Sequence, residues 1–171
     1  MGEPFAGVLR DGQVERLAAP EGFSRSPVLC LLEDRQGDLW VGTRDAGLYR
    51  VRGAVVEAVR EGLPDAKVNA LALGRQGELW VGTDAGLARW DGKRLLEVEA
   101  ARELRGVPVL SLAGDRNGNL WAGTHERGLW RMNDKGSEKA PLPRLRWPPH
   151  YLCRSSWVAQ LLIKNHSRYQ L

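Results

Sequence analysis

The sequence predicts an all-β fold, an arc of about three four-stranded blades plus half a blade, and two observations predict it. The first is a recurring core: Leu39-Trp40-Val41-Gly42-Thr43, Leu79-Trp80-Val81-Gly82-Thr83 and Leu120-Trp121-Ala122-Gly123-Thr124, with the tryptophans 40 and 41 residues apart. The second is what fills each interval, namely short apolar runs separated by glycine-bearing turns. A period of roughly 40 to 45 residues made of short strands is the signature of a β-propeller, one blade per repeat.

Each repeat opens on a valine twelve residues before its tryptophan: Val28, Val68 and Val109. The runs that follow are short and closely bounded by turn residues, as strands are: 28–32, 68–73 and 109–113. A polar turn ends each one in Gly37, Gly77 or Gly118, a residue type that accepts the positive φ of a tight hairpin. The Trp strand comes next. After its threonine a small loop closes on Gly47, Gly86 or Gly128, and a third strand begins: Leu48-Tyr49-Arg50, Leu87-Ala88-Arg89, Leu129-Trp130-Arg131. A fourth is visible at 55–59 and at 95–99, whereas the third repeat shows no recognisable fourth strand after Arg131. Nine of the 20 glycines fall at three repeated positions, so they read as turn and bulge glycines of a blade rather than as a phosphate-binding loop. Residues 7–17 match the second half of a repeat, like 86–92 and the strand after it, with the Trp-bearing half missing.

The predicted organisation is thus a partial β-propeller over 1–138, with a blade remnant at 5–18 and blades at about 27–60, 67–100 and 108–134. A basic, non-repeat tail, irregular or short-helical and disordered in the simplest reading, occupies 139–171. Charge marks the same boundary. Residues 1–138 hold 19 basic and 21 acidic side chains, and 139–171 hold six basic and no acidic ones. Three readings of the tail stand side by side: an unevolved read-through end, a linker with a short helix at 156–164, or a basic arm for an anionic membrane or nucleic acid. Nucleic acid is not the expected partner of the propeller itself.

The pattern Val-x-x-Leu-x-x-Asp-x-x-Gly-x-Leu-Trp-x-Gly-Thr, followed by Gly-Leu-x-Arg, resembles the two-component regulator propeller repeat. The resemblance covers residues 7 to 132 and departs at Gly74 and Gly114, which replace acidic or polar turn residues in two copies. It implies the sensor region of a bacterial hybrid histidine kinase or diguanylate cyclase. In such proteins a β-sandwich, a membrane span and cytoplasmic output domains follow the propeller. The expected function is signal sensing by ligand or partner binding, with the remaining blades and the output domain of a parent sensor as partners. Because three and a half blades do not close a ring, the chain reads as a fragment whose open ends invite self-association. The parent propeller is expected outside the cytoplasm. The chain as written shows no apolar leader and no run of ~20 apolar residues, which reads as cytoplasmic.

No catalytic constellation is legible, and no cofactor is expected. Asp115-Arg116-Asn117-Gly118-Asn119 resembles the opening of a calcium loop. Its aligned copy Gly74-Arg75-Gln76-Gly77-Glu78 lacks the first ligand, so a turn with Asp accepting backbone N–H bonds is expected. His125 lies in a repeat loop, and His150 and His166 lie in the tail. Cys30 and Cys153 offer neither a disulfide framework nor metal spacing. Two alternatives to sensing remain open: a propeller lyase acting on cyclic peptides, and a protein–protein scaffold.

The structural residues predicted are Trp40, Trp80 and Trp121, packing between blades; Gly42, Gly82 and Gly123; and Thr43, Thr83 and Thr124, bonding at a strand end. Arg50, Arg89 and Arg131 are expected to pair with nearby acids. The candidate ligand- or partner-binding residues lie where the copies differ, in the loop after each threonine: Arg44 and Asp45, Asp84, and His125, Glu126 and Arg127.

Overall fold

The computed structural model describes residues 7–10, 13–16, 20, 22–23, 25–133 and 136–140. The tail beyond Ala140, with His150, Cys153, His166 and the helix expected at 156–164, lies outside the described residues.

Among the described residues there are three four-stranded antiparallel sheets and one two-stranded sheet, each formed from consecutive strands. The half blade is β1 (Gly7–Arg10) and β2 (Gln13–Arg16). The first blade is β3 (Val28–Glu33), β4 (Leu39–Thr43), β5 (Leu48–Arg52) and β6 (Val55–Val59). The second is β7 (Val68–Leu73), β8 (Leu79–Thr83), β9 (Gly86–Trp90) and β10 (Leu95–Glu97). The third is β11 (Val109–Gly114), β12 (Leu120–Thr124), β13 (Leu129–Asn133) and β14 (Gly136–Lys139). The fold is all-β, as the repeat predicts.

Two strand expectations are corrected. The third blade has a fourth strand, pairing Arg131 with Glu138 and Met132 with Ser137. Its sequence, Gly-Ser-Glu-Lys, carries no apolar alternation because it is an outer strand with little to bury. In the second blade the fourth strand stops at Glu97, and Glu99–Leu104 form a 3-10 turn that buries Ala101 and Leu104.

The inner and Trp strands pair in the same register in every blade, with one irregularity each: Val28↔Thr43 then Cys30↔Gly42, Val68↔Thr83 then Ala70↔Gly82, Val109↔Thr124 then Ser111↔Gly123. This shift lets Val68 face the blade before it while Ala70 faces the blade after. The glycines then divide into two kinds. Gly37, Gly77 and Gly118 take φ of 80°, 92° and 86°, and Gly47, Gly86 and Gly128 are also positive, so these six are turn glycines. Gly42 and Gly82 are not turn glycines; they lie at the irregular pairing of inner and Trp strands. They are holes: a Cβ on Gly42 would meet Val68 Cγ1 at 2.6 Å, and one on Gly82 would meet Val109 Cγ1 at 2.8 Å.

The core lies between blades. Trp40 and Leu48 of the first blade pack with Val68, Leu79, Val81, Ala88 and Leu95 of the second, and Trp40 meets Trp90 edge-on at 5.2 Å between centroids. Ala72 and Leu87 of the second blade pack with Val109, Leu120, Ala122 and Met132 of the third, Leu104 and Ala101 closing the top. A further cluster sets Phe23 against Tyr49, Val41, Val51 and Val56 on the front of the first blade.

An arginine strap supplements this packing at the hairpin turns. Arg35 donates to the Arg75 carbonyl at 2.9 Å, and its stem lies over Gly77 of the next blade. Arg75 lies in the same way over Gly118.

Candidate functional site: the loops after the Trp-x-Gly-Thr strands

Each loop is built from its threonine outward. The Thr43 hydroxyl donates to the Gly47 carbonyl at 2.7 Å and accepts from the Ala46 N–H at 3.2 Å. Thr83 bonds Gly86 and Ala85 in the same manner, and Thr124 bonds Gly128 and Arg127. A buried hydroxyl that satisfies both ends of a tight turn fixes the loop's shape and leaves the residues between free to vary.

The candidate residues sit on those turns. Arg44, Asp45, His125, Glu126 and Arg127 are exposed, and Asp84 is half-buried. Most are already engaged. Asp45 accepts from the Ser26 hydroxyl, Arg127 donates to the Glu103 carbonyl at 3.3 Å, and His125 lies 3.5 Å from Glu126. Asp84 accepts from Lys67 Nζ at 3.0 Å and from Asn69 Nδ2 at 2.7 Å, and Asn69 also donates to the Val109 carbonyl of the third blade. Burial pushes the Asp84 carboxyl up, but those two donors outweigh it and hold the group below the usual carboxylate range. Asp84 is thus an ionised anchor inside a polar bridge between two blades, not a free acid.

The second of these loops borders a cleft of about 390 Å³, lined by Leu63 and Pro64 from the first-to-second blade connection, Ala85 from that loop, and Glu97 and Arg105 around the 3-10 turn; none of the six candidate residues lines it. Arg105 pairs with Glu97 at its lip. Sequence reasoning singled out Asp84-Ala85 but not Leu63, Glu97 or Arg105. The available signal was the repeat of Gly22-Phe23, Gly62-Leu63 and Glu103-Leu104 ahead of each inner strand.

The remaining candidates are structural in geometry. The N–H of each repeated tryptophan meets a carboxylate: Trp40 and Asp34 at 2.7 Å, Trp80 and Glu78 at 3.4 Å, Trp121 and Asp115 at 2.9 Å. Asp115 also accepts the Asn117 and Asn119 N–H groups at 2.9 and 2.8 Å, so the calcium-like segment is a turn with its acid already satisfied. Of the arginines expected to pair with acids, Arg50 does so with Asp38 and Arg131 with Glu138. The feature common to all three is different: Arg50, Arg89 and Arg131 each lie over the tryptophan directly across the strand pair, at 5.2, 5.9 and 5.9 Å from its ring. Among the described residues no group of three His, Cys, Asp or Glu is placed to hold a metal ion. No helix among them is long and apolar enough to cross a membrane.

The sequence family described as two component regulator propeller matches three times, at residues 22–45, 62–85 and 103–126. These are two-component regulator propeller repeats. Each match begins at the loop before an inner strand and ends two residues past the threonine, inside its turn, so it covers the hairpin that carries Trp-x-Gly-Thr. No curated protein matches the chain. Among solved structures, virginiamycin B lyase from Staphylococcus aureus is similar with 15% identity and a TM-score of 0.62, over 84% of this chain and 51% of that one. A putative gluconolactonase is similar with 18% identity and a TM-score of 0.51, over 73% and 51%. The extracellular domain of a putative hybrid two component system from B. thetaiotaomicron aligns with 16% identity and a TM-score of 0.38, over 82% and 26%. The regulator-propeller chain therefore spans about half the length of the first two, and at these identities the likeness shows the propeller fold alone.

Proposed function

We infer that the loop side of this regulator propeller is the input surface of an extracytoplasmic two-component sensor, and that it binds a signal ligand or partner. The observation that carries this reading is the cleft between Pro64, Ala85 and Arg105. Its walls come from the first-to-second connection, the second blade and the turn leading into the third. A molecule seated there touches the second blade and the connections on both sides of it, so binding shifts how that blade is held between them. The variable residues Arg44, Asp84 and His125 sit on turns of fixed shape, the arrangement that lets a repeat scaffold alter specificity without altering its frame. The altered packing is then passed to output segments of the parent sensor.

A screen of small metabolites and peptides by thermal unfolding of the full chain tests this. A ligand should raise Tm in a concentration-dependent way. Ala85→Trp, which fills the cleft from a half-buried position, should abolish the shift. A set of ligands whose shifts all survive Ala85→Trp overturns the assignment of the cleft.

A further inference from the structure

Two main-chain hydrogen bonds hold the walls of the cleft together. The Leu95 N–H donates to the Glu61 carbonyl at 3.1 Å, which ties the first-to-second connection to β10. The Gly106 N–H donates to the Ala85 carbonyl at 2.8 Å, which ties the residues after the 3-10 turn to the second loop. Between them Leu63, Pro64, Ala85 and Leu87 supply an apolar lining. The volume of about 390 Å³ lies at the small end of the range for ligand pockets.

Glu97 and Arg105 are the lining residues with polar side chains. They pair with each other, and Arg105 Nη2 also lies 3.6 Å from Glu99. Both side chains of the pair are about half exposed. So exposed a pair contributes little by itself, and opening it for a ligand costs little.

This combination selects a ligand class. A sugar would set most of its hydroxyls against Leu63, Pro64 and Leu87 with no partner. A phosphate or a lone carboxylate has to draw Arg105 away from both Glu97 and Glu99. A lone amine has to take Glu97 from Arg105 and leave that guanidinium short of a partner. A molecule with one positive and one negative group joins the pair and leaves every charge matched.

We propose, resting on the reading of this cleft as the input site, that its ligand is a free α-amino acid with an apolar side chain. The ammonium donates to the Glu97 carboxylate, the ligand carboxylate accepts from the Arg105 guanidinium, and the side chain covers Leu63 and Leu87.

The test is calorimetric titration of the full chain with L-phenylalanine and L-leucine. Two analogues of the first, phenethylamine without the carboxylate and hydrocinnamate without the ammonium, are titrated beside them. Amino-acid binding should saturate at one molecule per chain. Each analogue should bind at least about tenfold more weakly than L-phenylalanine, or about 1.4 kcal/mol. Glu97→Gln should weaken L-phenylalanine to the level of hydrocinnamate, and Arg105→Gln to the level of phenethylamine. Glu33→Gln, at an exposed position in the first blade, should change nothing. Glu97 and Arg105 are half exposed, so these replacements are compatible with folding, which circular dichroism checks. Absence of saturable amino-acid binding, an analogue that binds as tightly as L-phenylalanine, or unchanged affinity in Glu97→Gln overturns the proposal. A sugar or phosphate whose Tm shift is lost in Ala85→Trp, in place of any amino-acid binding, overturns it while the cleft stands as the input site. L-Phenylalanine binding that survives Ala85→Trp overturns it together with the cleft.

Discussion

The Glu78 carboxylate occupies the space that Gly74 leaves by having no side chain. In the first and third blades the turn acid comes first, as Asp34 and Asp115, and accepts two backbone N–H groups and the indole N–H of its tryptophan. In the second blade the acid has moved four residues along. Glu78 reaches back to the Gln76 N–H at 2.9 Å and to Trp80 Nε1 at 3.4 Å. The function of the carboxylate is kept while its position in the chain changes.

This makes Gly74 and Glu78 a coupled pair. Glu78→Asn alone removes the acid and should cost about 1 kcal/mol in urea unfolding. Gly74→Asp alone sets two carboxylates in one place and should also destabilise. The double variant recreates the Asp115–Asn119 turn and should recover most of the loss, with an interaction energy of about 1–2 kcal/mol in the double-mutant cycle. Simple additivity would refute the exchange.

Gly42→Ala should destabilise by about 1–3 kcal/mol through overpacking against Val68 and Cys30. Gly123→Ala should cost less than half as much, because Ser111 Oγ of its own sheet is what a Cβ there would meet, and a hydroxyl turns aside. Equal losses in chemical denaturation would show that the blade-to-blade contact is not what excludes a side chain.

The tryptophans should rank by what lies beyond them. Trp40 is 1% exposed between two blades, so Trp40→Ala should cost about 3–5 kcal/mol. Trp121 is half-buried on the last blade, and its loss should cost less than half of that. Comparable midpoints for the two variants would contradict inter-blade packing as the main role.

Asp38 should shape the acid limb of stability. The hydrogen bond from Arg52, joined by Arg50 and opposed by burial, holds its carboxyl at about 2. A folded-state value below the unfolded one, ~3.9, stabilises the fold above that range and ceases to as pH falls through about 2. Asp38→Asn should therefore narrow the stability difference between pH 5 and pH 2, measured as urea midpoints. An unchanged difference would show that the Arg50–Asp38–Arg52 cluster does not contribute.

The thrice-repeated core made the blades legible without coordinates, since a fixed spacing of Val, Gly, Trp and Thr reports what every copy has in common. The same averaging hid what single copies do. β14 has no apolar pattern to betray it, because an outer strand buries little. That Val68, 26 residues away, rests on Gly42 has no counterpart in the local sequence. The cleft was illegible for a similar reason: Leu63, Ala85 and Arg105 converge only once two connections are laid beside a blade.

From the sequence alone came the repeat unit, its strand order and the loops where copies diverge, because local pairing within a blade is encoded by neighbours in the chain. Tertiary structure alone decided which glycines receive a neighbouring valine and which tryptophan lies buried between two blades. Those outcomes depend on contacts between blades, where side-chain volume and approach distance rule and spacing along the chain carries no information.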